Sequence, residues 1–134
     1  MSLHRTICLI GQSGSGKSTI AEILASHYGY CRVNISGEVR KAAQRNGLID
    51  PTRKDLQLLA NSSREQFGND VFAKSVYVEC KDVEMVVFEG IRHPEELHYL
   101  QRSRNGLFLV CGIEAPQMKR FEWVVDRGRL SDPK

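Results

Sequence analysis

Gly11-Gln12-Ser13-Gly14-Ser15-Gly16-Lys17-Ser18 reads G-x-x-x-x-G-K-S. Before it runs the apolar stretch Thr6-Ile7-Cys8-Leu9-Ile10, and after it come Ile20, Ile23, Leu24 and Tyr28 at helical spacing. A strand, a glycine-rich loop and a helix in that order make a phosphate-binding loop. Gly11, Gly14 and Gly16 let the backbone fold tightly, so that N–H groups from Ser13 to Thr19 turn inward around an anion. The helix starting near Lys17 directs its positive N-terminal end at the same point. Lys17 then reaches the β- and γ-phosphates, and the Ser18 hydroxyl is a ligand for Mg²⁺. A chain of this length matches the string by chance roughly 0.5% of the time, before its flanking strand and helix are counted.

The totals bound the rest. The chain has 134 residues, enough for one domain over 1–134 and too few for two with sizeable cores. Charged residues are 26% and hydrophobic residues 41%, an ordinary globular composition. A formal charge of +3 with no basic run gives no sign of a nucleic-acid surface. No apolar segment reaches the length of a membrane span, and the N-terminus lacks a secretory apolar region, so the expected location is the cytoplasm. Cys8, Cys31, Cys80 and Cys111 lack metal-ligand spacing and read as reduced thiols, with Cys8 and Cys111 inside buried strands.

Further along, 31–35 reads as a second strand and 38–45 as a helix stopped at Asn46-Gly47. Thr52-Arg53-Lys54-Asp55 is a capping box opening a helix with Leu56, Leu59, Ala60, Ser63 and Phe67 on one face. Asp70 is placed to cap a further helix through about Cys80, with Phe72, Val76 and Cys80 inward. Met85-Val86-Val87-Phe88 is a short buried strand, and Pro94 stands at a first helical position with Glu95 and Glu96 in the first turn. A fourth strand is expected over 107–113, and a helix from Pro116 to Gly128. Strands alternating with helices give a doubly wound parallel sheet in three α/β/α layers. The chain stops in turn-like residues that read as the start of a lid (about 127–134), so the last strand and most of the lid are expected to be absent.

Ligands of open α/β sheets bind at the carboxyl ends of the strands. Glu89 and Arg92, in Phe88-Glu89-Gly90-Ile91-Arg92-His93-Pro94, should therefore face Lys17. A carboxylate there holds magnesium through water or orients a substrate group, and an arginine clamps phosphate. Ser36-Gly37-Glu38-Val39-Arg40 opens on the same edge, where Arg40 is a candidate grip for a second anion. His93 reads as a turn residue.

These residues resemble the P-loop kinases of nucleoside monophosphates and of dephospho-coenzyme A, over nearly the whole chain. Ser36-Gly37-Glu38 with Arg40 is similar to the acceptor-binding S/T-G-D…R segment of adenylate kinases. The Phe88 to Glu96 stretch resembles the h-D-G-h-R-x-x-x-E element of small kinase-like ATPases, and Val125-Asp126-Arg127-Gly128-Arg129 the start of their lid. Glu89 stands where aspartate is commoner, and the 36–40 segment is one residue shorter than in adenylate kinase. The resemblance implies ATP and Mg²⁺ as cofactors and a small-molecule phosphate acceptor. Lys17, Arg92 and Arg129 would be catalytic, and Arg127 would bind nucleotide. Ser36, Arg40, Glu89 and Arg92 would bind the acceptor, Ser18 and Glu89 would serve the metal, and the helices of 36–81 would wall the acceptor site. The alternative is a non-catalytic ATP-binding regulatory module or a slow ATPase.

Overall fold

Four strands hydrogen-bond in the order β2-β3-β1-β4, all parallel: β1 (His4–Ile10), β2 (Cys31–Asn34), β3 (Met85–Glu89) and β4 (Gly106–Gly112). The computed structural model describes residues 3–11 and 16–113. Ser13, Gly14, Ser15, the helix expected from Pro116, and Arg127 and Arg129 lie outside the described residues. Five helices connect the strands: α1 (Lys17–Tyr28), α2 (Gly37–Arg45), α3 (Arg53–Phe67), α4 (Val71–Cys80) and α5 (Pro94–Ser103). Among the described residues, no helix is long and apolar enough to cross a membrane.

The period-2 alternation of strands separates two apolar layers. Leu9 and Val87 face α1, where they meet Ala21 with Ile20 and Leu24 around them. Cys8, Val86 and Phe88 face the opposite way, into a larger core with Ile35, Val39, Ala42, Ala60, Phe72, Val76 and Leu100. The central strand β3 is covered on both faces, and Val86, Val87 and Phe88 are fully buried. Each such side chain contributes about 1.5–3 kcal/mol by leaving water. Because α1 and α5 lie on opposite faces, the loops after β1 and β3 diverge and open a crevice between adjacent strand ends. That is the switch point of a doubly wound sheet.

Several expectations change in detail. The capping box of α3 is present: the Thr52 N–H donates to Asp55 Oδ2 (2.9 Å) and the Asp55 N–H to Thr52 Oγ1 (3.1 Å). Phe67, expected on the inward face of α3, is 61% exposed. In the last turns Arg64 faces inward instead, its guanidinium 5.1 Å from the Phe72 ring centroid. Asp70 stands at the N-cap of α4 without a side-chain cap, and its carboxylate pairs with Lys74 one turn on, at 3.4 Å. The apolar run of β4 suggests a buried strand, but it lies at the edge of the described sheet. Leu107, Leu109 and Val110 are exposed, and Cys111 is only half-buried.

Arg104, to which the sequence drew no attention, is buried at the C-terminus of α5. Its guanidinium donates to Thr6 Oγ1 (2.6 Å) and to the carbonyls of Cys80 (3.1 Å), Val83 (2.9 Å) and Glu84 (3.1 Å). It ties the end of α4 and the entry to β3 to the central strand β1. Burial pulls its pKa below the ordinary arginine value.

Candidate functional site

The site is assembled where β1 ends, α1 begins and β3 ends. Gly16 is the N-cap of α1 with φ +98°, a conformation that favours glycine. It has no side-chain cap, and the first turn of α1 holds no acidic residue. The contrast with α3 and α5 is informative, because Asp55 and Glu96 satisfy N–H groups at those helix starts. The positive end of α1 is not met by a carboxylate of its own helix, which is the electrostatics of an anion site. The Lys17 ammonium donates to the Gly11 carbonyl, just after β1, at 2.5 Å.

In the first turn of the same helix, Ser18 Oγ donates to Glu89 Oε1 at 3.5 Å. The two residues are 71 positions apart, and the parallel pairing of β1 with β3 brings them together. Glu89 is buried (3% exposed), so its charge requires a partner. Arg32 supplies it: Nε donates to Glu89 Oε2 and Nη2 to Oε1, the latter at 3.2 Å. The bonded carboxylate raises the Arg32 pKa above its ordinary value. Arg32 escaped notice in the sequence. A strand arginine 57 positions from its partner leaves no local spacing to read.

The loops after β2 and β3 abut. The Ile35 N–H donates to the Glu89 carbonyl (2.9 Å), and the Asn34 Oδ1 accepts from the Ser36 N–H (3.0 Å) and Ser36 Oγ (2.6 Å). Ser36 thus stands beside Gly90, as expected of two segments opening on one edge. Arg40 is exposed on α2, and its neighbour Lys41 makes the ion pairs, to Glu38 (3.1 Å) and Glu79 (2.9 Å). Arg92 is exposed three residues past Glu89, and Thr19 is exposed in the first turn of α1. Glu96 accepts from the N–H groups of Arg92 (2.7 Å) and His93 (3.0 Å), which shapes the loop that carries Arg92. The sequence marked Glu96 as a first-turn acid and as the last residue of the Phe88 to Glu96 stretch, without indicating its partners; it is fully buried.

Ser18 and Glu89 offer hard oxygen donors. Among the described residues no group of three or more His, Cys, Asp or Glu stands together. That donor set fits Mg²⁺, which keeps several waters and leans on one or two protein oxygens plus phosphate.

The fold and the loop between β1 and α1 define a P-loop NTPase of the kinase-like group. The AAA domain family matches residues 7–129. The chain belongs to the UPF0200 proteins: it is 34% identical over 134 residues to one from Hyperthermus butylicus, covering 97% of this chain and 69% of that protein. It is 29% identical over 126 residues to one from Thermoplasma volcanium, covering 94% and 69%. The chain thus spans roughly two thirds of the length of these relatives. Among solved structures it is similar to a gluconokinase from Sinorhizobium meliloti (TM-score 0.58, 19% identity, 96% of this chain and 69% of that one). A shikimate kinase from Acinetobacter baumannii in complex with shikimate is also similar (TM-score 0.53, 18% identity, 95% and 66%). At these identities the structural likeness speaks for the fold.

Proposed function

We propose that this chain binds ATP with Mg²⁺ and moves the γ-phosphate to a small hydroxylated or phosphorylated acceptor. The observation that carries the reading is Ser18 Oγ within 3.5 Å of the buried Glu89 carboxylate, in the first turn of a helix whose N-cap, Gly16, offers no side chain. Phosphoryl transfer asks the protein chiefly to position groups and to neutralise charge. Lys17 and the loop amides hold the donor phosphates. Ser18 and Glu89 would hold the metal, which when bound would offset negative charge on the donor phosphates. Arg92, on the loop shaped by Glu96, and Arg40 meet the acceptor, with Ser36 beside them. Arg127 serves the nucleotide and Arg129 the transfer, and water, which would otherwise consume ATP, must be kept out.

Similarity to a gluconokinase and a shikimate kinase supports trying polyol and hydroxy-acid acceptors beside nucleotides. The test is a panel of such acceptors with Mg-ATP, read by ADP release and by transfer of labelled phosphate. ADP release that rises with one acceptor, with label on that acceptor, supports the kinase. Slow release independent of every acceptor replaces it with an ATPase. ATP-dependent stabilisation without turnover replaces it with a binding module.

A further inference from the structure

The Arg32–Glu89 pair occupies both oxygens of the carboxylate assigned above to the metal, so it bears on how a cation enters. This inference rests on the nucleotide reading and deepens it. Glu89 sits at the end of a central strand with 3% exposure, and it cannot retreat to solvent. The Arg32 side chain extends from the edge strand β2 and is 35% exposed, so its guanidinium can. The guanidinium already uses both oxygens of Glu89, and two cations close to one carboxylate repel each other.

We infer that Arg32 is the resident counter-ion of Glu89 and that capture of the metal–nucleotide complex displaces it. Arg32 keeps a buried carboxylate from standing unpaired while the site is empty, and it competes with the divalent ion for the same oxygens. Linkage makes the relationship reciprocal: whatever strengthens the Arg32–Glu89 pair weakens the cation, and the reverse. Arg32 is therefore a positioning residue that sets cation affinity, acting through Glu89.

The test measures Mn²⁺ binding to the protein–ADP complex by electron paramagnetic resonance in the native chain, Arg32→Ala, Glu89→Gln and the double variant. ADP binding in chelator is measured alongside. Arg32→Ala should bind Mn²⁺ about fivefold more tightly, the size of a part-exposed ion pair, with ADP affinity in chelator unchanged. In the Glu89→Gln background the Arg32 effect should vanish, since the cycle isolates their coupling. Unchanged or weaker Mn²⁺ binding by a folded Arg32→Ala chain that still takes up ADP overturns this inference and leaves the nucleotide reading standing. No ADP uptake by the native chain overturns both. Should Arg32→Ala fail to fold, the Arg32 Nε–H resonance of the native chain, assigned with Arg32→Lys, decides the matter. Its loss of exchange protection on adding Mg-ADP supports displacement, and retained protection in the nucleotide-bound chain refutes it.

Discussion

Glu96 Oε2 lies 3.8 Å from Arg64 Nη2, joining the start of α5 to the inward face of α3. Glu96 is fully buried, and the Arg64 side chain is 13% exposed. Glu96 Oε1 holds the Arg92 and His93 amides, so one carboxylate both shapes the Arg92 loop and neutralises a buried guanidinium. Removing one partner of such a pair is far worse than removing both, because the other charge is stranded. Glu96→Ala is expected to lose about 3–5 kcal/mol in urea unfolding. Arg64→Leu with Glu96→Gln, which keeps an acceptor for the two amides, should lose much less than the single change.

Gly90→Ala tests the contact between the loops after β2 and β3. Gly90 has φ +78°, and a Cβ there would collide with Asn34 Oδ1 and lie 3.1 Å from the Ser36 nitrogen. Strain of this kind costs about 1–3 kcal/mol. The expected result is a stability loss of that size. The Asn34–Ser36 turn should also lose amide exchange protection, because Asn34 must move to admit the methyl.

Lys17→Ala should weaken triphosphate binding roughly 10- to 100-fold, the range of one charge-assisted hydrogen bond. Lys17 belongs to neither apolar layer, so unfolding should shift little. Calorimetric titration alongside thermal melting checks both halves. Unchanged affinity would remove Lys17 from the site.

Arg92→Ala should reduce phosphate transfer while sparing ATP affinity, since the exposed Arg92 sits on the loop after β3 rather than on the phosphate loop. A loss of about 10²-fold in turnover is expected where one positioning group is removed. Steady-state rates on the responsive acceptor, with ATP titrated separately, check it.

Alkaline pH should expose the state of Cys8. Burial pushes its thiol up from 9.0 to about 12, although the Arg104 guanidinium nearby draws it down. Between those values the unfolded chain loses a proton that the folded chain keeps, so stability falls as pH rises. The full contribution is present below pH 9 and is lost by pH 12, up to about 4 kcal/mol. Cys8→Val should show a shallower decline than the native chain in urea unfolding from pH 8 to 11.

Much of the architecture was legible because its causes are local. Apolar runs and helical spacing identified all nine described elements, and Thr52 with Asp55 announced its own cap. What went astray concerned neighbours. Phe67 fits the inward stripe of α3 by spacing, yet Arg64 has a ring and a carboxylate to meet there. β4 reads as a buried strand, yet it lies at the edge of the described sheet. Periodicity reports which face is apolar, and it is silent on what stands opposite.

By itself the sequence determined the glycine-rich turn between a strand and a helix, with Lys17 and Ser18 at its exit, because those conformational and chemical demands span only eight residues. It also determined that Glu89 ends a strand. Only the tertiary structure decided that Glu89 meets Ser18 and Arg32, that Arg64 answers Glu96, and that Arg104 is buried against three carbonyls and a hydroxyl. Those partners lie 20 to 98 positions apart and come from different elements, where strand order and register set who faces whom. A buried charge must find its opposite or a set of dipoles somewhere in the fold, and nothing in the spacing along the chain says where.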